Sequence, residues 1–98
     1  MTPTEFKIKK HLLIYGKVQG VGFRYWLYEK AIKKNIHGWV KNKTTGEVEA
    51  LLVGNVKDVN ELIKECGRGS CFSNVTQVKI QDYQKDYLKK SFDILSAT

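Results

Sequence analysis

The chain has 98 residues, 42% of them hydrophobic, and its seventeen basic residues outnumber ten acidic ones for a formal charge of +7. That length supports one two-layered core and no second one, so a single domain over residues 1–98 is expected. It contains no apolar run of about eighteen residues, and its first ten residues are polar and basic, so neither a membrane span nor a signal peptide is expected and the cytoplasm is the expected location.

Residues 1–7 carry no periodic pattern and are expected to be a flexible lead-in, whereas residues 8–17 predict a strand with an apolar stretch from His11 to Tyr15. The run Gly16-Lys17-Val18-Gln19-Gly20-Val21-Gly22-Phe23-Arg24 comes next and opens a helical pattern. Glycines at a strand-to-helix junction allow positive φ and close backbone approach, and successive N–H groups there can form a concave nest for an anion. The cap region 20–22 holds no Ser, Thr, Asp or Asn to occupy the first N–H groups of the helix, which leaves them free for a ligand. Arg24 adds a permanently charged fork suited to phosphate.

The helix is predicted over residues 23–34, with Phe23, Leu27 and Ala31 on its buried stripe, Tyr28 and Ile32 beside it, and Asn35 and Gly38 as its stop. Residues 38–42 and 47–53 predict two antiparallel strands joined by Lys43-Thr44-Thr45-Gly46. A second helix follows from Val59, Leu62, Ile63 and Cys66, with Asn55 as its cap and Gly67 after its end. Residues 75–83 alternate as a strand, and Phe92 and Ile94 predict a short edge strand. The order predicts an α+β, ferredoxin-like βαββαβ sandwich, with two helices on one face of an antiparallel sheet.

Generic nucleotide motifs do not fit. A dinucleotide fingerprint needs glycine where Tyr25 stands, and a P-loop needs Gly-Lys followed by Ser or Thr. His11 and His37 have no carboxylate or cysteine cluster at ligand spacing, so no metal is expected. Cys66 and Cys71 are too few for a disulfide framework and lack a C-x-x-C spacing; reduced thiols are expected.

A second element decides the reading of the first. The run Gly16 through Arg24, together with Gly38-Trp39-Val40-Lys41-Asn42 and the downstream Gly46-Glu47-Val48-Glu49, closely resembles the acylphosphatase family, over about residues 11–94. The resemblance implies hydrolysis of a carboxyl phosphate to a carboxylate and inorganic phosphate, with no metal, no cofactor and no covalent intermediate. Carried over by position, the backbone of Gln19, Gly20, Val21, Gly22, Phe23 and Arg24 cradles the phosphate, Arg24 binds its oxygens, and Asn42 positions the attacking water. Lys17 and Lys41, where the family often has arginine, are supporting charges, and Thr44 is a supporting hydroxyl. The implied partners are a small acyl phosphate and inorganic phosphate or similar anions, with no membrane and no specific nucleic acid, and the expected state is a monomer.

So sparse a site is chemically sufficient. The leaving carboxylate has a conjugate-acid pKa of roughly 4 and departs without a proton donor. A loose phosphoryl transition state asks mainly for positioning and charge stabilisation. An RNA-recognition module shares this strand and helix order, but its base-stacking aromatics sit on the third strand, and residues 47–53 contain no aromatic residue. Residues 67–74 lack the proline common in the family's connection after the second helix, and two glycines there predict a mobile loop.

Overall fold

The computed structural model describes residues 6–98. The seven elements are β1 (Lys7–Lys17), α1 (Phe23–Lys33), β2 (His37–Asn42), β3 (Val48–Asn55), α2 (Val56–Arg68), β4 (Asn74–Asp82) and β5 (Phe92–Ile94). They build one five-stranded sheet in the order β4-β1-β3-β2-β5. Both βαβ units are split by a strand of the other, which is the ferredoxin-like α+β arrangement expected from the alternation of elements.

Alternation along the strands places Leu12 and Ile14 of β1, Val40 of β2, and Val48, Ala50 and Leu52 of β3 on one face. All are fully buried, against Phe23, Leu27 and Ala31 of α1 and Val59, Leu62 and Cys66 of α2. Each large side chain buried there contributes about 1.5–3 kcal/mol of transfer free energy. Helix α1 lies over β2 and β5, while α2 lies over β1, β3 and β4. Among the described residues, Lys30 pairs with Glu65 at 3.0 Å, and Lys34, just past the end of α1, reaches Glu61 at 3.6 Å and Glu65 at 3.7 Å, which engages part of the lysine surplus across the two helices.

Four details differ from expectation. The sheet is antiparallel except at β5, which pairs parallel to β2 through Gly38 with Phe92 and Val40 with Ile94. Gly38 does not stop α1 but sits inside β2; the turn is made by Asn35, at φ 58°. Gly67 does not end α2 either, because the helix continues to Arg68 and stops at Gly69, at φ 82°. Ile32 on α1 is exposed instead of flanking the core. Asn55 caps α2 as expected, its Oδ1 accepting from the Lys57 N–H at 2.9 Å.

The expected lead-in over residues 1–7 falls in part outside the described residues. Within them, the Phe6 carbonyl accepts from the Val56 N–H, and Lys7 opens β1. The α2–β4 connection turns at residues 70–73, where the Ser73 N–H and Oγ both donate to the Ser70 carbonyl. Cys71 is exposed at that turn, whereas Cys66 is unpaired in the core, its thiol pushed up to about 12 by burial and the adjacent Glu65 carboxylate. No helix of the described residues is long and apolar enough to cross a membrane.

Candidate active site

The chain leaves β1 through a bulge at Tyr15 and Gly16, and the loop that follows climbs onto the helix face of the sheet. Gly20 and Gly22 have φ of 74° and 78°, while Val21 between them keeps a negative φ. Alternation of sign turns consecutive N–H groups toward one side, which is the backbone geometry of an anion-binding nest. A Cβ at either glycine would meet no protein atom within 4 Å. The requirement for glycine is therefore set by φ and not by packing.

Gly22 is also the N-cap of α1, in the left-handed region and with no side-chain cap bond. The first helical N–H to find a carbonyl is that of Trp26, bonded to Gly22 O at 3.0 Å. The N–H groups of Phe23, Arg24 and Tyr25 are left as donors at the positive end of the helix dipole. The first turn of α1 has no acidic residue and carries Arg24 instead. Among the described residues, no carboxylate pairs with the Arg24 guanidinium.

Asn42 enters from the end of β2. Its backbone pairs with Val48 of β3, and its carbonyl accepts from the Thr98 N–H at 3.2 Å. Strand alternation puts its side chain on the same face as the buried Val40, toward α1. Its Oδ1 is buried and accepts a hydrogen bond from no group among the described residues. A buried acceptor without a partner costs free energy, about 1–3 kcal/mol in typical cases, so such an atom points to a functional role.

These groups meet in one cavity of about 160 Å³, lined by Val18, Gly20, Gly22, Phe23, Arg24, Tyr25, Asn42 and Ile94. At about 30 Å³ per liquid water, that is room for a phosphoryl group with an attached fragment. Among the described residues, no carboxylate, imidazole or thiol lines it. Chemically, it offers a fixed positive charge, a set of backbone donors and one neutral acceptor. That combination has the chemistry to receive a tetrahedral anion with a water beside it.

A family model described as Acylphosphatase matches residues 10–94. The chain belongs to the acylphosphatase family. Similar curated acylphosphatases include that of Nitrobacter winogradskyi, 40% identical over 83 residues that cover 85% of this chain and 84% of the relative. That of Moorella thermoacetica is 37% identical over 90 residues, covering 92% and 96% respectively. Among solved structures, the acylphosphatase from Bacillus subtilis superposes with a TM-score of 0.85 at 33% identity, covering 90% of this chain and 98% of that one. The acylphosphatase reaction, hydrolysis of an acyl phosphate to a carboxylate and inorganic phosphate, is the activity of this chain.

Of the residues singled out in the sequence, Gly20, Gly22, Phe23, Arg24 and Asn42 share the cavity, while Gln19 and Val21 do not line it. Gln19 turns away and ties two loops together. Its Nε2 donates to Lys43 O at 2.8 Å and to Glu47 O at 3.0 Å, fastening the glycine loop to the turn after Asn42. Gln19→Ala should lower the melting temperature by roughly 4–8 °C, as expected for about 1 kcal/mol, and cut turnover about tenfold as the two halves of the site lose register. A thermal melt and an acyl phosphate assay check both, and an unchanged melt would show that these bonds tie nothing.

Lys17, Lys41 and Thr44 line no part of the cavity. Lys41 projects from the opposite face of β2, where its Nζ reaches Thr98 Oγ1 at 2.8 Å, Glu49 at 3.5 Å and the Trp39 ring. On the same face His11 Nε2 meets Glu49 at 2.6 Å. Burial raises the Glu49 pKa, but the His11 bond and the charge of Lys41 outweigh it and hold the carboxyl below its ordinary range. The Thr44 N–H donates to Thr98 O at 3.2 Å, so both residues brace the strand carrying Asn42 against the chain's last residues.

Val18, Tyr25 and Ile94 complete the lining and were not among the residues expected at the site. Val18 and Ile94 carry no chemical group that a motif would mark, and Tyr25 is distinguished in sequence only by its place after Arg24.

Proposed function

We propose that acyl phosphates are hydrolysed here by direct attack of one positioned water, with Arg24 and Asn42 as the catalytic residues and the backbone of residues 19–24 as the phosphate cradle. The observation that carries this reading is that Asn42, whose buried Oδ1 has no partner among the described residues, lines the same cavity as Arg24 and the opening of α1. Arg24 and the N–H groups hold the three terminal phosphate oxygens, offsetting charge that shifts during transfer. Asn42 Oδ1 accepts one O–H of water and directs its lone pair at phosphorus. The P–O bond to the acyl group breaks as the P–O bond to water forms; the carboxylate leaves with the bonding electron pair, and the proton passes to solvent or to phosphate.

A neutral amide is a weak base, and none is needed with so good a leaving group. Arg24 and the cradle supply the charge stabilisation that a divalent ion provides in other phosphoryl transfers, so neither metal nor cofactor enters this scheme. Lys17 and Lys41 act at a distance, adding to the field that draws anions, and Thr44 acts through the brace at Thr98. The reading takes the chain as a monomer in a reducing, cytoplasmic setting, the kind of compartment in which the unpaired Cys66 and Cys71 persist as thiols.

Purified protein in excess chelator should hydrolyse acetyl and benzoyl phosphate, with inorganic phosphate as a competitive inhibitor. Loss of turnover on chelation, with recovery on adding a divalent ion, would sink the metal-free scheme.

A further inference from the structure

The cavity lining divides by chemistry. Gly20, Gly22, Arg24 and Asn42 give it backbone and polar groups, while Val18, Phe23, Tyr25 and Ile94 give it apolar surface. Val18 and Phe23 are buried and serve as floor, but Tyr25 is 60% exposed and Ile94 is 41% exposed at the mouth. A phosphate dianion gains nothing from such walls. The part of an acyl phosphate that does is the R group on the carbonyl carbon.

We infer that Tyr25 and Ile94 form an acyl subsite that selects substrates whose R group is aromatic or bulky and apolar. This rests on the acyl phosphate reading of the cavity and deepens it. The two residues are linked through a run of ring contacts and one strand. The Tyr25 ring stacks on Tyr28 with centroids 5.9 Å apart and planes at 25°. Tyr28 in turn meets Phe92 at 6.4 Å. Phe92 and Ile94 alternate on the same side of β5, whose parallel pairing to β2 brings Ile94 beside Val40, two residues before Asn42.

The stack holds the Tyr25 ring in place before substrate arrives, so little rotamer entropy is lost on binding. A flat face ordered in this way suits a second ring better than a methyl group. A phosphate cradle alone predicts indifference to R; the apolar surface adds a preference.

The test compares benzoyl with acetyl phosphate. The wild-type chain should favour benzoyl phosphate in kcat/KM by about tenfold or more, mostly through KM. Tyr25→Ser should lower the benzoyl-to-acetyl ratio about 5- to 10-fold, Tyr25→Phe should keep it, and Ile94→Thr should lower it about threefold. Tyr25 is largely exposed, so its variants should fold, and circular dichroism confirms that. An unchanged ratio in both Tyr25→Ser and Ile94→Thr overturns the subsite while leaving the hydrolytic reading intact. Failure of the wild-type chain to turn over either compound overturns that reading, and the subsite with it.

Discussion

Arg24→Gln should raise the inhibition constant of inorganic phosphate about 10- to 100-fold, the range for hydrogen bonds that involve a charged group. It should also lower kcat/KM for an acyl phosphate by about 10³-fold, on the scale of an arginine that stabilises phosphoryl transfer. The reasoning starts from what Arg24 does not touch. No carboxylate among the described residues pairs with it, and it occupies the first turn of α1, where a positive charge opposes the helix dipole. Such a placement costs stability, about 0.3–1 kcal/mol, and folding alone gives no reason to retain it. Removing the charge should therefore raise the melting temperature by roughly 1–5 °C while the activity collapses. Arg24→Lys should recover only a small part of the rate, because an ammonium cannot present the planar fork that engages two oxygens at once. Inhibition by phosphate, steady-state kinetics and a thermal melt on the same preparations check all three. Phosphate affinity that survives Arg24→Gln would remove the guanidinium from the site.

How much of this was legible in the sequence depended on whether a residue's task is local. The strand alternation of residues 8–17 and the i, i+3, i+4, i+7 stripe of α2 reflect periodicities of single elements, and both elements formed as expected. Helix ends were read less well. Gly67 and Gly38 look like stops in sequence, but the left-handed positions went to Gly69 and Asn35, since the choice among nearby candidates depends on where packing lets the chain turn. The direction of β5 was not legible at all. Three residues carry no parallel or antiparallel signature, and the direction follows from the return of residues 83–91, held by Lys9 to the Lys85 carbonyl and by the Tyr87 hydroxyl to the Gly38 carbonyl.

The same division runs through the site. Gly20, Gly22 and Arg24 lie within five residues of one another, so a loop with free backbone donors and a nearby charge is visible from the sequence, although the second motif was needed to decide its reading. Asn42 needed the second motif, because its juxtaposition with α1 arises only when β2 lies beneath that helix. Gln19 was expected to present backbone to phosphate, and nothing in its neighbours reveals that its side chain would span to Lys43 and Glu47. Ile94 stands seventy residues from Arg24 in sequence and reaches the cavity only through the parallel pairing of β5.

Asn42→Ala should lower kcat by about 10²- to 10³-fold, on the scale of losing one preorganised group in a catalytic site. Its effect should separate from that of Arg24 in three ways. Phosphate should inhibit the variant almost as well as the wild type, since Asn42 addresses the water and not the anion; the loss then appears in kcat with KM little changed. Stability should hold or rise slightly, because alanine removes a buried oxygen that no donor among the described residues satisfies. Asn42→Asp should be worse than Asn42→Ala in both binding and turnover: a carboxylate would be the stronger base, yet its charge would face the phosphate dianion across a small cavity. That order of variants distinguishes water positioning from general base catalysis, which predicts that Asn42→Asp is the more active of the two. The pH profile gives an independent check. With no carboxylate, imidazole or thiol in the lining, kcat for the wild type should be nearly flat from about pH 5 to about pH 8. A bell-shaped profile over that range, or an Asn42→Asp variant that outpaces Asn42→Ala, would mean that a titrating base takes the proton and that Asn42 does not serve by orientation alone.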